Sequence, residues 1–308
     1  MKKKLITILL CSLIIPVSFF GVMIFLSLQT NGASPSPDIE EVEAIIETET
    51  AYVENTLTFN NYIRYIDEIE LDFVPQPVKY TREEAIVKLE ELGRWYPAYR
   101  IVVENEAIYP TELLLSGANN PEMADFLYGY LTSDGTAAGG FTEEEQPEEH
   151  PLFLQYDPRW GYVSYGNGET VGSAGCGPTS LSMVVFYLTG DRSCTPDAIA
   201  RYSLENRYYV KGSGTAWSLI TNYPKLYGLS SRYININEAR IKSELDQGRY
   251  LICSVRPGNF TSSGHFIVIY GYDENGFKIN DPKSVYRSNL SWTFEQIRSD
   301  FKAIWSIG

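Results

Sequence analysis

The sequence predicts an α+β fold for its second half, and three observations carry that reading. Helical patterns come first, over Thr179–Leu188, Pro196–Asn206, Ala216–Tyr227 and Asn237–Gln247. Strand-like runs follow, over Arg249–Val255, His265–Tyr272, Phe277–Asp281 and Lys302–Ser306. Helices gathered before strands argue for segregated layers rather than alternating βαβ units. The third observation is the run "HFIVIYGYDENGFKIND", two β-rich segments around an Asn-Gly turn signal.

The chain has 308 residues, enough for one or two domains with a proper core. Its start reads as three lysines followed by an uncharged run of 25 residues, Leu5–Gln29. A bilayer span needs about 20 apolar residues, whereas a signal-peptide core has about 7 to 15. Residues 1–30 therefore read as cytoplasmic lysines and a retained single-pass membrane anchor, with Asn31 onward outside. Pro16 is tolerable within such a helix. Cleavage after Ala33, which would secrete the remainder, stays open.

Residues 31–76 read as an acidic stalk without a clear helical or strand period. Residues 77–131 read as a small helical region. Thr81 and Glu84 stand at capping-box spacing, Ile86, Leu89 and Leu92 share one face, and Pro110 and Asn120-Pro121 mark later helix starts. Residues 132–150, "TSDGTAAGGFTEEEQPEEH", read as a linker in which His150 is solvated. The formal charge of −14 sits in this first half, with 26 acidic and 6 basic residues over 31–150 against 13 and 16 over 151–308. An acidic segment of this kind keeps a stalk solvated and gives no basic face for nucleic acid.

The stretch "VGSAGCGPTSLSMVVFYLTG" places Cys176 directly before a helix that Pro178 starts and Gly190 ends. Leu181, Val184, Val185 and Leu188 form a stripe at helical spacing. Unpaired N–H groups and the helix dipole at such a start favour an anion, so the thiol should ionise more readily. Gly175 and Gly177 read as leaving room for a substrate carbonyl. A thiolate nucleophile needs a base. The chain has two histidines, and His265, at a strand mouth after "GNFTSSG", is the ordered candidate. The base needs an orienting partner, for which Asp281 stands at the end of the returning strand, with Asn280 as fallback. A one-residue slip flips every side chain of a strand. Asp281 can therefore share a face with His265 only with an odd loop or a bulge in this hairpin.

Cys11 lies in the anchor, while Cys194 and Cys253 either pair in an oxidising exterior or stay as two buried thiols. Trp160, Trp217 and the Tyr-rich "RYYVKGSGTAW" read as core or as a cleft lining, with Gly212 and Gly214 suited to a loop over a substrate backbone. No His/Cys cluster stands at metal-ligand spacing, and no cofactor is expected.

The blocks "LQYDPRWGYVSYG", "GCGPTSLSMVVFYLTG", "GHFIVIYGYDENGFKINDP" and "SWTFEQI" resemble family thirty-nine of the cysteine peptidases, in its stand-alone bacterial branch within the papain-like clan. The resemblance covers 151–308. It implies a papain-like fold, with a helical part carrying the cysteine and an antiparallel sheet carrying the histidine and aspartate. It implies Cys176 as nucleophile, His265 as base, Asp281 as orienter and Gln155 as side-chain donor of the oxyanion hole. The better-known members process double-glycine leader peptides while fused to an ATP-driven exporter; this chain has one membrane segment and no phosphate-binding loop, so that activity is not carried over. The helical segment also resembles one preceding related domains in Gram-positive bacteria. The expected activity is hydrolysis of a peptide or protein substrate outside the cell. Two alternatives are a cell-wall peptide hydrolase or acyl-transferase with the same residues, and a non-catalytic surface binding module.

Overall fold

The computed structural model describes residues 77–308. The membrane anchor and the acidic stalk expected from the sequence lie outside the described residues. Among the described residues, no helix is long and apolar enough to cross a membrane.

The helical region opens with α1 (Arg82–Leu92). Its capping box is formed, since the Glu84 N–H donates to Thr81 Oγ1 and the Thr81 N–H donates to Glu84 Oε2. Three more helices follow: α2 (Pro97–Glu104), α3 (Thr111–Asn119) and α4 (Ala124–Tyr130). A single 3₁₀ turn, Pro121–Met123, precedes α4, and Asn120 caps it through the Glu122 N–H. Leu89, Tyr99, Val102, Leu113, Phe126 and Leu127 bury their side chains together, and Tyr156 from further along the chain joins them.

Residues 132–140 are almost all exposed, whereas Phe141, Glu145 and His150 are partly buried and anchor the rest of the segment. Phe141 stacks on Phe153 at 4.5 Å and lies edge-on to Trp160. The Arg192 guanidinium donates to the carbonyls of Thr142 and Glu145, and Arg159 pairs with Glu145. His150 is partly buried rather than solvated. Its ring stacks on Tyr270, and Nε2 hydrogen-bonds with the Tyr250 hydroxyl at 2.7 Å.

Next come the short α5 (Val171–Ala174), then α6 (Cys176–Thr189) and α7 (Pro196–Glu205). α6 is buried continuously from Gly177 to Tyr187, so the predicted stripe is one side of a helix enclosed all round. A small hairpin, β1 (Tyr209–Val210) and β2 (Gly214–Thr215), precedes α8 (Trp217–Asn222). The long helix expected over Ala216–Tyr227 ends early, because Pro224 breaks the ladder and a 3₁₀ turn, Tyr223–Tyr227, takes over.

A six-stranded sheet completes the fold, antiparallel throughout, in the order β3-β8-β4-β5-β6-β7. Its strands are β3 (Ser231–Ile234), β4 (Tyr250–Val255), β5 (His265–Asp273), β6 (Gly276–Asn280), β7 (Ser291–Trp292) and β8 (Phe301–Ile307). The helices α9 (Glu238–Leu245), α10 (Val285–Ser288) and α11 (Phe294–Ile297) are interspersed. Alternation along the strands feeds two cores. Ile252, Val268, Trp305 and Ile307 pack with α6, whereas Leu251, Cys253, Ile267 and Ile269 pack with Ile241 of α9 on the opposite face.

The β5–β6 hairpin carries the detail on which the site depends. Asp273 pairs with Gly276, so the connection is the even, two-residue Glu274–Asn275. Gly276 begins the returning strand instead of completing the turn. A Cβ there would lie 2.5 Å from the Trp292 carbonyl oxygen of β7. The register then shifts between Ile269 and Gly271, leaving Tyr270 as an extra residue in β5. Beyond the bulge Ile269 faces Ile279 and Val268 faces Asn280. One more step along this register sets Asp281 across from Ile267, on the face that also carries His265. The anticipated odd residue is therefore in the strand and not in the loop.

Candidate active site

Cys176 is the first residue of α6, one step beyond α5, and its side chain is partly accessible. The fold itself leaves no room for a side chain at either flanking glycine. A Cβ on Gly175 would meet the Val171 carbonyl oxygen at 2.4 Å, and one on Gly177 would meet Thr215 Cβ at 2.6 Å. Gly177→Ala should therefore cost about 1–3 kcal/mol through overpacking, read as a lower urea midpoint. An unchanged midpoint would show that the β1–β2 hairpin yields freely.

His265 opens β5, paired with Val255 of β4, and is almost fully buried. Its Nε2 meets Asp281 Oδ1 at 2.7 Å. Its Nδ1 has no well-formed hydrogen bond to any protein atom, and the imidazole interacts with the Cys176 thiol. Burial opposes charge on all three groups, yet their mutual interactions outweigh it. The Cys176 thiol is held below its ordinary range by the His265 imidazole, with help from Lys283 and the Phe266 backbone. The His265 imidazole is held above its ordinary range chiefly by Asp281. Asp281 is held well below the usual carboxylate range by the Arg287 guanidinium and by His265. The arrangement therefore favours a thiolate beside an imidazolium.

Asp281 is fully buried and saturated with donors. Besides His265, Oδ1 accepts the Lys283 N–H at 2.8 Å, and Oδ2 accepts Arg287 Nε at 2.6 Å. Its own N–H donates to Ser288 Oγ. Asn280, the fallback orienter, is committed elsewhere, since its Nδ2 donates to the His150 carbonyl and to the Tyr187 hydroxyl.

Gln155 is fully buried. Its N–H donates to the carbonyl of Pro282, beside Asp281, and its Nε2 donates to the carbonyl of Gly172, just before Cys176. One Nε2 hydrogen is left over from that contact, because an amide nitrogen carries two. Gln155 is thus tied to the segments that bear both other ends of the site.

The remaining candidates separate. Trp160 is fully buried in the core, while Trp217 is partly exposed against Tyr233 and Trp305. Gly212 and Gly214 belong to the β1–β2 hairpin, both at positive φ. Cys194 and Cys253 are separate free thiols in different cores, so they do not pair. Burial and Asp191 push the Cys194 thiol up to about 12, and burial alone pushes Cys253 up. Arg287, Ser288 and Lys283 escaped sequence reading, since no motif marks them. Among the described residues, no group of three or more His, Cys, Asp or Glu side chains could hold a metal ion.

The sequence profile of the Peptidase_C39 like family matches residues 149–307. The chain belongs to this family. It is accordingly a cysteine-type peptidase, a hydrolase with an α+β fold. Two solved structures are similar to this C39-like peptidase. The peptidase domain of Streptococcus ComA, a bi-functional ABC transporter involved in a quorum-sensing pathway, is 20% identical, with a TM-score of 0.36 over 52% of this chain and 96% of that one. A protein from Bacillus anthracis described as a C39-like peptidase is 14% identical, with a TM-score of 0.33 over 44% of this chain and 89% of that one. No match to a curated protein was found.

Proposed function

We propose that this peptidase hydrolyses peptide bonds through a Cys176 thioester, with its catalytic half held outside the cytoplasm by the N-terminal apolar segment. The observation that carries the reading is His265 set between Asp281 and the Cys176 thiol. The thiolate attacks the scissile carbonyl carbon, and the carbonyl electrons move onto oxygen. Gln155 Nε2 and the Cys176 N–H stabilise that oxyanion. The His265 imidazolium gives its proton to the departing amine as the C–N bond breaks. The neutral imidazole then takes a proton from water, which attacks the thioester and releases the acid and the thiolate. Asp281 holds the imidazole in one tautomer and stabilises its charged form. The outward orientation is supported by Lys2, Lys3 and Lys4 preceding the uncharged run.

A thiol-directed epoxide that cannot cross membranes, applied to intact cells producing the full chain, tests both parts. The label should reach Cys176 and spare Cys194 and Cys253 until the protein is denatured. Labelling in lysate but not in intact cells would remove the outward location and leave the nucleophile. Mapping of newly formed protein termini, with active enzyme against Cys176→Ala, should give cleavages that vanish in the variant. Retained cleavage in Cys176→Ala would end the mechanism.

A further inference from the structure

The proposed mechanism asks Asp281 to stay aligned with His265, and most of what surrounds Asp281 belongs to the stretch that follows it. Lys283, Arg287 and Ser288 all lie within seven residues and all bond to it. That stretch is anchored from outside the sheet. The Glu122 carboxylate, in the turn before α4, accepts Ser284 Oγ at 3.0 Å, the Val285 N–H at 2.7 Å and the Tyr286 N–H at 3.0 Å. The side chain of its neighbour Asn120 donates Nδ2 to the Lys283 carbonyl. Asn120 Oδ1 meanwhile accepts the Glu122 N–H, so the two anchors brace each other.

The same carboxylate reaches the opposite side of the site. Glu122 Oε2 accepts the Tyr156 hydroxyl at 2.9 Å. Tyr156 follows Gln155, whose N–H donates to Pro282. One acidic side chain of the helical region thus ties together the loop behind Asp281 and the segment bearing the oxyanion donor. Charge-assisted hydrogen bonds of this kind are roughly twice as strong as neutral ones. Removing the acceptor would leave the almost fully buried Ser284 and two backbone N–H groups without their partner.

We infer that the helical region 77–131 is a positioning element of the peptidase, and that Glu122, braced by Asn120, holds the Asp281–Ser288 loop in the register His265 requires. The inference rests on the proposed Cys176–His265–Asp281 mechanism. Glu122 touches none of those three side chains; it acts through the loop. When the anchor is lost the loop relaxes, Asp281 Oδ1 moves off Nε2, and the imidazolium loses its acceptor. The thiolate that the imidazolium stabilises becomes harder to form. A purely structural tie would lower stability and leave that ionisation alone.

The test uses the full-length protein and iodoacetamide as probe, following carboxamidomethylation of the Cys176 peptide by mass spectrometry against pH. In the unsubstituted protein the midpoint should lie below that of an ordinary thiol. In Glu122→Gln, which keeps the size but not the charge, it should rise by about one pH unit, so that alkylation in the acid range falls about tenfold. Asn120→Ala, which removes the Lys283 contact, the brace and an interaction with the Tyr156 hydroxyl while keeping the Glu122 charge, should move it in the same direction and supplies the test if Glu122→Gln fails to fold. Folded variants with the unsubstituted midpoint would overturn the inference. A normal thiol midpoint in the unsubstituted protein, or one unmoved by His265→Ala, would instead overturn the mechanism on which it rests.

Discussion

His265→Ala should abolish turnover while the protein still folds, lowering kcat by about 10³- to 10⁴-fold. Two losses combine. The Cys176 thiol keeps the burial that disfavours its charge but loses the imidazole, the largest of the influences that lower it. The thiolate fraction at neutral pH then falls, and no acid remains to protonate the departing amine. The fold survives because Asp281 keeps Arg287 and the Lys283 N–H, so the buried carboxylate is not orphaned. The unsubstituted enzyme should show a bell-shaped dependence of kcat/KM on pH. Its acid limb rises as the thiol-imidazole pair first loses a proton, at a value set by the lowered Cys176. Its alkaline limb falls as the imidazolium, held above its ordinary range, loses its own. Both limbs belong to the pair rather than to either residue. Stopped-assay rates with circular dichroism check the prediction, and activity within tenfold of the parent in a folded His265→Ala would refute the role of the ring.

What the sequence could and could not reveal follows from the range of each interaction. The helix at Cys176 and the strand at His265 are written locally, in Pro178 and its apolar run and in the β-branched "HFIVI". Both appear where periodicity puts them. Register is another matter. The alternation argument required one extra residue between His265 and Asp281, but "YGYDENG" contains nothing that assigns it to Tyr270 rather than to the turn. The Tyr270 ring stacks on His150, far back in the chain, and such a partner has no local signature. The anchoring of 141–150 was hidden for the same reason, because the partly buried ring of Phe141 packs among aromatics from distant segments. Gly175 and Gly177 stood out as special, but the crowding by Val171 and Thr215 that excludes a side chain there has no local signature. Arg287 and Glu122 were silent, since a charged residue in a loop looks solvated until its buried partner is known. The edge strands β3 and β7 are too short to show a period.

Arg287→Ala should be the most destabilising change near the site, costing about 3–5 kcal/mol, and its cost should grow as the pH moves away from the acid range. The guanidinium and Asp281 form a buried pair at 2.6 Å, and Trp292 Nε1 fixes the same segment through the Arg287 carbonyl. Removing the cation leaves a carboxylate that burial would neutralise and that the imidazole alone must compensate. The sign follows from linkage. The Asp281 carboxyl in the folded protein lies well below its unfolded value, so its contribution is fully present above about pH 4 and is lost only as the pH falls through the much lower folded value. Without Arg287 the folded value rises toward or past the unfolded one, and that acid-resistant contribution disappears. His265 works oppositely. Its folded value is raised, so its contribution is complete below about pH 6.5 and fades as the pH climbs through the raised value. The contributions of Asp281 and His265 are therefore both complete in the window between about pH 4 and about pH 6.5. Arg287→Ala should lose most of its stability relative to the parent at neutral pH, and the gap should narrow where Asp281 becomes protonated in the variant. Urea unfolding at a series of pH values reads the gap directly. Arg287→Lys should recover only part of it, because an ammonium restores the charge without the directed Nε hydrogen bond. A gap that stays constant from acid to neutral pH would mean that Arg287 contributes packing alone and that Asp281 does not depend on its charge.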